Sequence, residues 1–183
     1  SNKDISIEVI GDDYLTCLKQ ALKISKIDKS IRVKIPITYS NGKSTKSLIE
    51  KLIDLKIKLN ITAIFTLKQI KELVDHCNPE SSIIFSVFAG RIADTGVDPI
   101  PMMKQSVNMC KAKNKIQILW ASTREIINIF QADKINCHII TVPHEILKKT
   151  SMIGKDLNQV SLETVQMFLD DATKAGFEIK INK

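Results

Sequence analysis

Ile31-Arg32-Val33-Lys34-Ile35-Pro36 reads as a β-strand whose alternation puts Val33 and Ile35 on one face and Arg32, Lys34 and Pro36 on the other. Five further runs resemble it in character: Ile5–Ile10, Leu59–Phe65, Ser82–Phe88, Ile116–Ser122 and Cys137–Val142. They are rich in Ile and Val and nearly continuously apolar, as strands covered on both faces should be. Between them the apolar period changes to that of amphipathic helices, over Asp13–Ile27, Ser44–Lys56, Leu67–Cys77, Ile100–Lys113 and Arg124–Gln131. A short helix is expected after Pro143. A longer one, Leu162–Ala175, precedes Gly176.

Strands alternating with helices imply right-handed crossovers and a parallel sheet. An open doubly wound sheet and a closed α/β barrel both satisfy this. A nucleotide-binding open sheet usually shows a glycine-rich turn after a strand, yet the six glycines form neither G-x-G-x-x-G nor a phosphate loop. A barrel instead places polar residues at the C-terminal ends of several strands, and this sequence does so repeatedly. A parallel α/β barrel is therefore the expected fold. No linker, low-complexity run or repeat beyond the βα unit is visible.

The 183 residues, 44% of them hydrophobic, suit one domain with an ordinary core. No run approaches the roughly 18 apolar residues of a membrane span, and Ser1 to Asp4 carry no signal-peptide hydrophobic region. The expectation is a soluble cytoplasmic chain with no membrane partner. Cys17, Cys77, Cys110 and Cys137 lie far apart in apolar or helical contexts, so they read as buried structural thiols rather than a disulfide framework. The net charge of +7 raises nucleic acid as a partner. However, Lys43, Lys46, Lys51, Lys56 and Lys58 are interspersed with Glu50 and Asp54, and no aromatics interleave with them for base stacking. No nucleic acid is expected.

The first five strands each carry polar residues that their apolar runs do not explain: Glu8, Lys34, Asn60 with Thr62, Ser86 and Ser122. Acids and lysines inside strands are costly unless paired or functional. If Val33 and Ile35 pack under the helices, Lys34 points into the barrel. It is then either a structural partner of Glu8 or an amine whose neutral form attacks a ketone. Arg91 follows the fourth strand, and Ala121-Ser122-Thr123-Arg124 ends the fifth and opens a helix. Barrels often hold a phosphate at such late loops, on free N–H groups of a helix N-terminus, and guanidinium groups match phosphate oxygens in pairs. The alternative for either arginine is a solvated surface position. His76, His138 and His144 share no metal-ligand spacing and no hydrolytic triad is visible. Met102, Met103 and Met109 read as core or interface filler.

Val33-Lys34-Ile35-Pro36-Ile37-Thr38 resembles the Schiff-base lysine motif of the transaldolase family, in its small single-domain branch. Asn60-Ile61-Thr62-Ala63-Ile64-Phe65 is similar to that family's Asn-x-Thr strand, and Phe85-Ser86-Val87-Phe88-Ala89-Gly90-Arg91-Ile92 to its Ser-x-Phe-x-Gly-Arg-Ile segment. Ile118-Leu119-Trp120-Ala121-Ser122-Thr123-Arg124 is similar to its Ala-Ser-x-Arg phosphate segment, and Thr141-Val142-Pro143 fits the last strand. The motifs run in family order over Ile5–Ile153.

The resemblance implies a (β/α)8 TIM barrel, of which about six βα units are visible here as family strands 3 to 8. Residues 1–183 would form one partial barrel domain with a C-terminal helix. It further implies that Lys34 forms an imine with a ketose carbonyl, that Glu8 holds a proton-shuttling water, and that Thr62 helps place it. Asn60 and Ser86 would bind substrate hydroxyls, and Arg91, Ser122 and Arg124 the phosphate. A dihydroxyacetone unit would pass from sedoheptulose 7-phosphate or fructose 6-phosphate to an aldose phosphate. The protonated imine is the electron sink, so no cofactor or metal is implied. The family's fructose-6-phosphate aldolase branch tends to carry Gln in place of Glu8 and Tyr in place of Phe88. The residues here are of the transferase kind, with that lyase as the alternative and a non-catalytic phosphosugar-binding barrel as the third reading.

Two departures matter. The register starts at the third family strand, so two βα units, about 45–60 residues, are expected before it, or a partner chain covering the edge. The absent strands would carry an acid/base aspartate and a Thr-Asn-Pro turn, and Asp12 and Asp13 do not replace that aspartate by position. Trp120 stands where the family has a small residue. It either packs outward or, being in phase with Ser122, narrows the site. The sequence allows a homo-oligomer.

Overall fold

A computed structural model describes residues 3–77, 80–113 and 115–179. The ends of the expected 1–183 domain, residues 1–2 and 180–183, lie outside the described residues. The chain divides into two compact units, Ser1–Leu147 and Lys148–Lys183.

In the first unit the apolar runs form six strands: β1 (Ile5–Glu8), β2 (Ile31–Pro36), β3 (Leu59–Ile64), β4 (Ile83–Val87), β5 (Ile116–Trp120) and β6 (Ile139–Ile140). They pair in parallel and in chain order, β1 through β6, as a curled half-barrel. The connecting helices are α1 (Tyr14–Ile24), α2 (Lys46–Asp54), α3 (Leu67–Val74), α4 (Ala89–Asp94), α5 (Ile100–Cys110), α6 (Ile127–Lys134) and α7 (His144–Leu147). Their starts are set locally. The Asp13 carboxylate accepts from the Thr16 N–H at 2.9 Å to open α1. Thr66 and Gln69 form a reciprocal capping box at α3.

One face of the sheet is sealed by the helices. Val33, Ile35, Leu59, Ile61, Phe85 and Val87 are all 0% exposed there, packed with Leu48, Ile49 and Ile70 from α2 and α3. The opposite, concave face has its own small apolar patch, Ile84, Leu119 and Ala121, with Phe88 and Ile139 against it. Cys17, Cys77 and Cys110 are buried and Cys137 is half-buried. Burial pushes the Cys77 and Cys110 thiols up to about 11 and about 12. Met103 is buried and Met102 and Met109 pack against the same core.

Within this first unit four departures from the sequence expectation stand out. Helix α4 occupies a stretch with a glycine at its second position, for which the sequence reading gave no helix. Helix α6 starts at Ile127 rather than Arg124, because the Asn128 side-chain oxygen takes the N–H groups of Arg124 and Glu125, each at 3.0 Å. Strand β6 shrinks to two residues, and the His138 ring Nδ1 accepts the Ile118 N–H at 3.1 Å just ahead of it. Trp120 is fully buried in the helix-side core, not on the site side. The strand ends at Trp120 and Ser122 has φ of +61°, so counting parity back from Ser122 fails.

The second unit contains a 3₁₀ turn (Lys148–Met152) and α8 (Leu157–Lys174), capped by the Asp156 carboxylate on the Gln159 N–H at 3.0 Å. Helix α8 begins five residues earlier than the Leu162 expected from the sequence. No helix among the described residues is long and apolar enough to cross a membrane.

The sealed face carries the stability. Ile61→Ala is expected to cost about 2–5 kcal/mol in urea unfolding. A Thr66→Ala change, which removes only the α3 cap, should cost about 1 kcal/mol.

Candidate active site

Strand β2 sets the site. With Val33 and Ile35 locked under the helices, Lys34 must emerge on the concave face. There its Nζ lies 3.0 Å from Glu8 Oε2, with the lysine side chain 30% and the glutamate 43% exposed. Register places the three polar side chains side by side, Glu8 opposite Lys34 and Lys34 opposite Asn60. One step earlier on β2, Arg32 donates to Asp4 at 2.7 Å and to the Ser82 carbonyl at 3.1 Å.

Asn60 is held from both sides. Its Nδ2 donates to Ser6 Oγ at 2.9 Å and its Oδ1 accepts from Ser86 at 2.6 Å. The two strands thus fix each other's polar groups, Asn60 and Ser86 being 5% and 3% exposed. Thr62 behaves differently: its hydroxyl is buried and makes no hydrogen bond to another protein group among the described residues. A buried hydroxyl in that condition keeps its full donor and acceptor capacity for a ligand.

At the C-terminal end of β4, Phe88 packs 5.6 Å from Phe65, ring to ring, and the Arg91 guanidinium sits 5.1 Å over the Phe88 ring. The chain then passes so close to the end of β5 that a Cβ on Gly90 would lie 1.5 Å from the Ser122 carbonyl oxygen. The Gly90 N–H donates to the Ala121 carbonyl at 3.2 Å, and Thr123 donates to the Thr141 carbonyl at 2.6 Å, tying in β6.

This approach brings α4 beside Arg124. The Arg124 fork donates to both Asp94 oxygens, Nε at 3.1 Å and Nη2 at 2.6 Å. The Arg124 hydrogen bond, with Arg124 and Arg91 charge adding to it, holds the Asp94 carboxyl below the usual aspartate range. The carboxylate thus orients Arg124 by engaging the Nε and Nη2 side of its fork. The expected anion site on free helix N–H groups is not what the structure presents, since Asn128 already uses those of Arg124 and Glu125.

All nine positions singled out from sequence thus lie on two neighbouring features. Glu8, Lys34, Asn60, Thr62 and Ser86 share the concave face. Phe88, Arg91, Ser122 and Arg124 stand at or just past the ends of β4 and β5. Three partners were missed: Ser6, Asp94 and Asn128. Ser6 shares Glu8's strand parity, so a signal existed for it. Asp94 and Asn128 gave none, because their contacts depend on an unexpected helix and on a tertiary approach. Among the described residues no group of three His, Cys, Asp or Glu side chains is placed to hold a metal ion.

Comparison with known proteins adds a second kind of finding. The family model described as Transaldolase/Fructose-6-phosphate aldolase matches residues 1–182. A "Probable transaldolase" from Thermoanaerobacter sp. (strain X514) is 32% identical over 176 residues, spanning 96% of this chain and 76% of its own. One of the same name from Clostridium kluyveri is 32% identical over 160 residues, 87% of this chain and 70% of its own. A solved structure titled "Native KDPGal structure" covers 84% of this chain and 85% of its own at 12% identity and a TM-score of 0.30, too slight a likeness to argue from.

Two outcomes check the geometry. Gly90→Ala should force the β4–α4 and β5–α6 segments apart and lower stability by about 1–3 kcal/mol, read by thermal unfolding. The Asp94–Arg124 pair should contribute stability above the ordinary aspartate pKa and lose it as pH falls through the lowered folded value. NMR titration should find Asp94 below the usual range, and Arg124→Ala should return it upward.

Proposed function

Because the chain belongs to the transaldolase/fructose-6-phosphate aldolase family, we propose that it is a transaldolase working through an imine on Lys34. The observation that carries this reading is the placement of Lys34: an amine on the concave face, 3.0 Å from one carboxylate and in register with a doubly anchored carboxamide.

In this reading each step is assigned a group. Lys34 Nζ, freed of a proton, adds to the C2 carbonyl of a ketose phosphate, and loss of water gives the protonated imine. Glu8 takes and returns protons through a water, with the unpartnered Thr62 hydroxyl helping to hold it. Asn60 and Ser86, already fixed against each other, bind substrate hydroxyls. The imine accepts the electron pair as the C3–C4 bond breaks, leaving an enamine on Lys34 and releasing an aldose phosphate. Attack of the enamine on a second aldose phosphate and hydrolysis of the new imine complete the transfer. Arg91, Ser122 and Arg124 anchor the phosphate, Arg124 by the part of its fork that Asp94 leaves open.

Transfer is favoured over plain cleavage by two residues. Phe88 has no hydroxyl to help water quench the enamine, and position 8 carries an acid rather than an amide. The reading treats residues 1–183 as one domain of an eight-stranded barrel in the cytoplasm, acting on sugar phosphates, in a homo-oligomer or alone.

Borohydride reduction in the presence of fructose 6-phosphate tests it. A three-carbon adduct should appear on Lys34 by mass spectrometry, and Lys34→Met should abolish it while leaving the fold intact. Turnover should require an aldose-phosphate acceptor; turnover without one makes the protein a lyase. Arg124→Ala should raise KM for phosphorylated substrates by about 10-fold or more and spare non-phosphorylated analogues. No adduct, with phosphate still bound, overturns the enzymatic reading.

A further inference from the structure

Part of the positive charge gathers at the other end of the sheet from Arg91 and Arg124. Between α5 and α6, at the N-terminal ends of β5 and β6, lies a cleft of about 490 Å³ lined by Lys104, Lys111, Lys113, Lys134 and His138 and by no carboxylate. Lys113 is tied down, its ammonium donating to the Cys77 carbonyl. Among the described residues no carboxylate pairs with Lys104, Lys111 or Lys134. The Ile118 N–H donates to His138 Nδ1 at 3.1 Å, so the neutral ring keeps its proton on Nε2, a donor. Like charges left this close raise the free energy of the folded chain unless an anion joins them.

A second, apolar cleft of about 460 Å³ adjoins the first. It is lined by Ile100, Ile127 and Phe130, and shares Lys104, Lys134 and Ile135 with the basic one. Ile127 and Phe130 are each 47% exposed, so an aromatic face is open beside the lysines. The two halves together present an apolar arm ending in a cluster of ammonium groups.

We propose that this composite cleft binds an organic polyphosphate of the nucleoside triphosphate class. The base lies in the apolar arm on Phe130, and the phosphate chain on Lys104, Lys111 and Lys134, with Lys113 and His138 beneath it. Both parts of such a ligand are matched: stacking and apolar contact suit the base, and ammonium groups suit phosphate oxygens. A simple sugar phosphate would leave the apolar arm unfilled. The site lies at the start of β5, whereas Arg124 follows its end, about 16 Å along the strand. It does not depend on the Lys34 chemistry.

Calorimetry on the full chain tests this with ATP, inorganic tripolyphosphate and adenosine as probes. ATP should bind one site per chain, about tenfold or more tighter than tripolyphosphate, with adenosine weakest. Lys104→Glu with Lys134→Glu should weaken ATP by tenfold or more, and Phe130→Ala should bring ATP down to the affinity of tripolyphosphate. These positions are exposed, so unchanged thermal unfolding in the variants confirms that the fold is not at issue. Arg124→Ala should leave ATP binding as it was, which keeps this site separate from the phosphate anchor proposed above. Equal binding of ATP and tripolyphosphate would reduce the cleft to a charged surface and overturn the proposal. So would ATP binding lost with Arg124 rather than the lysines, or no ATP binding alongside a concentration-dependent dimer, which would assign the cleft to a second copy.

Discussion

Val33 and Ile35, both 0% exposed under the helices, leave strand β2 no freedom in what it shows to its other face. Each contributes about 1.5–3 kcal/mol by leaving water, and a slip of one residue would drive Lys34 into the helix layer while turning both apolar side chains outward. Register then passes the constraint sideways. Glu8 and Asn60 stand beside Lys34 because their own neighbours, Val9, Leu59 and Ile61, are buried on the sealed side. The polar row on the concave face is thus a by-product of an apolar row behind it.

The second constraint is steric rather than hydrophobic. Helix α4 can begin at the end of β4 only if its second residue has no side chain, since the Ser122 carbonyl fills the space a Cβ would take. Ser122 itself adopts a positive φ, which turns the chain out of the strand and toward α4. Out of that contact comes the Asp94–Arg124 fork. An exposed ion pair of this kind adds little to stability; its effect is to hold a long, rotamer-rich side chain in one direction. Arg91 is steadied by a different means, the face of Phe88.

These two constraints explain what could be read from the chain and what could not. Strands β1 to β5 were legible as apolar runs: Lys34, Asn60 and Ser86 stood out as polar residues within them, and alternation gave the face of Lys34. Helix α4 was not, because glycine disfavours a helix and its reason for being there lies 32 positions along, at Ser122. Trp120 misled for a related reason: parity was carried across Ser122, where the backbone no longer alternates. Strand β6 came out short because the His138 ring takes a backbone N–H of its neighbour strand, a tertiary substitution that no local pattern announces. Asn60, Ser86 and Ser6 were each visible as polar residues, but that they bond in series depends on β1, β3 and β4 meeting on one curved face.

Curvature also sets how strongly the charges on that face feel one another. Lys34 and Glu8 are in contact, yet both remain partly open to solvent, where high dielectric weakens their attraction. Among the described residues strand β1 has a neighbour on one side only, and Glu8 stands on it. Any structure laid along that edge would strip water from Glu8 first and from Lys34 second, strengthening the pair and raising the cost of holding either charge alone. The strength of that ion pair is therefore governed at the β1 edge. Arg124 and Arg91, held by Asp94 and by the Phe88 ring past the ends of β4 and β5, lie away from that edge.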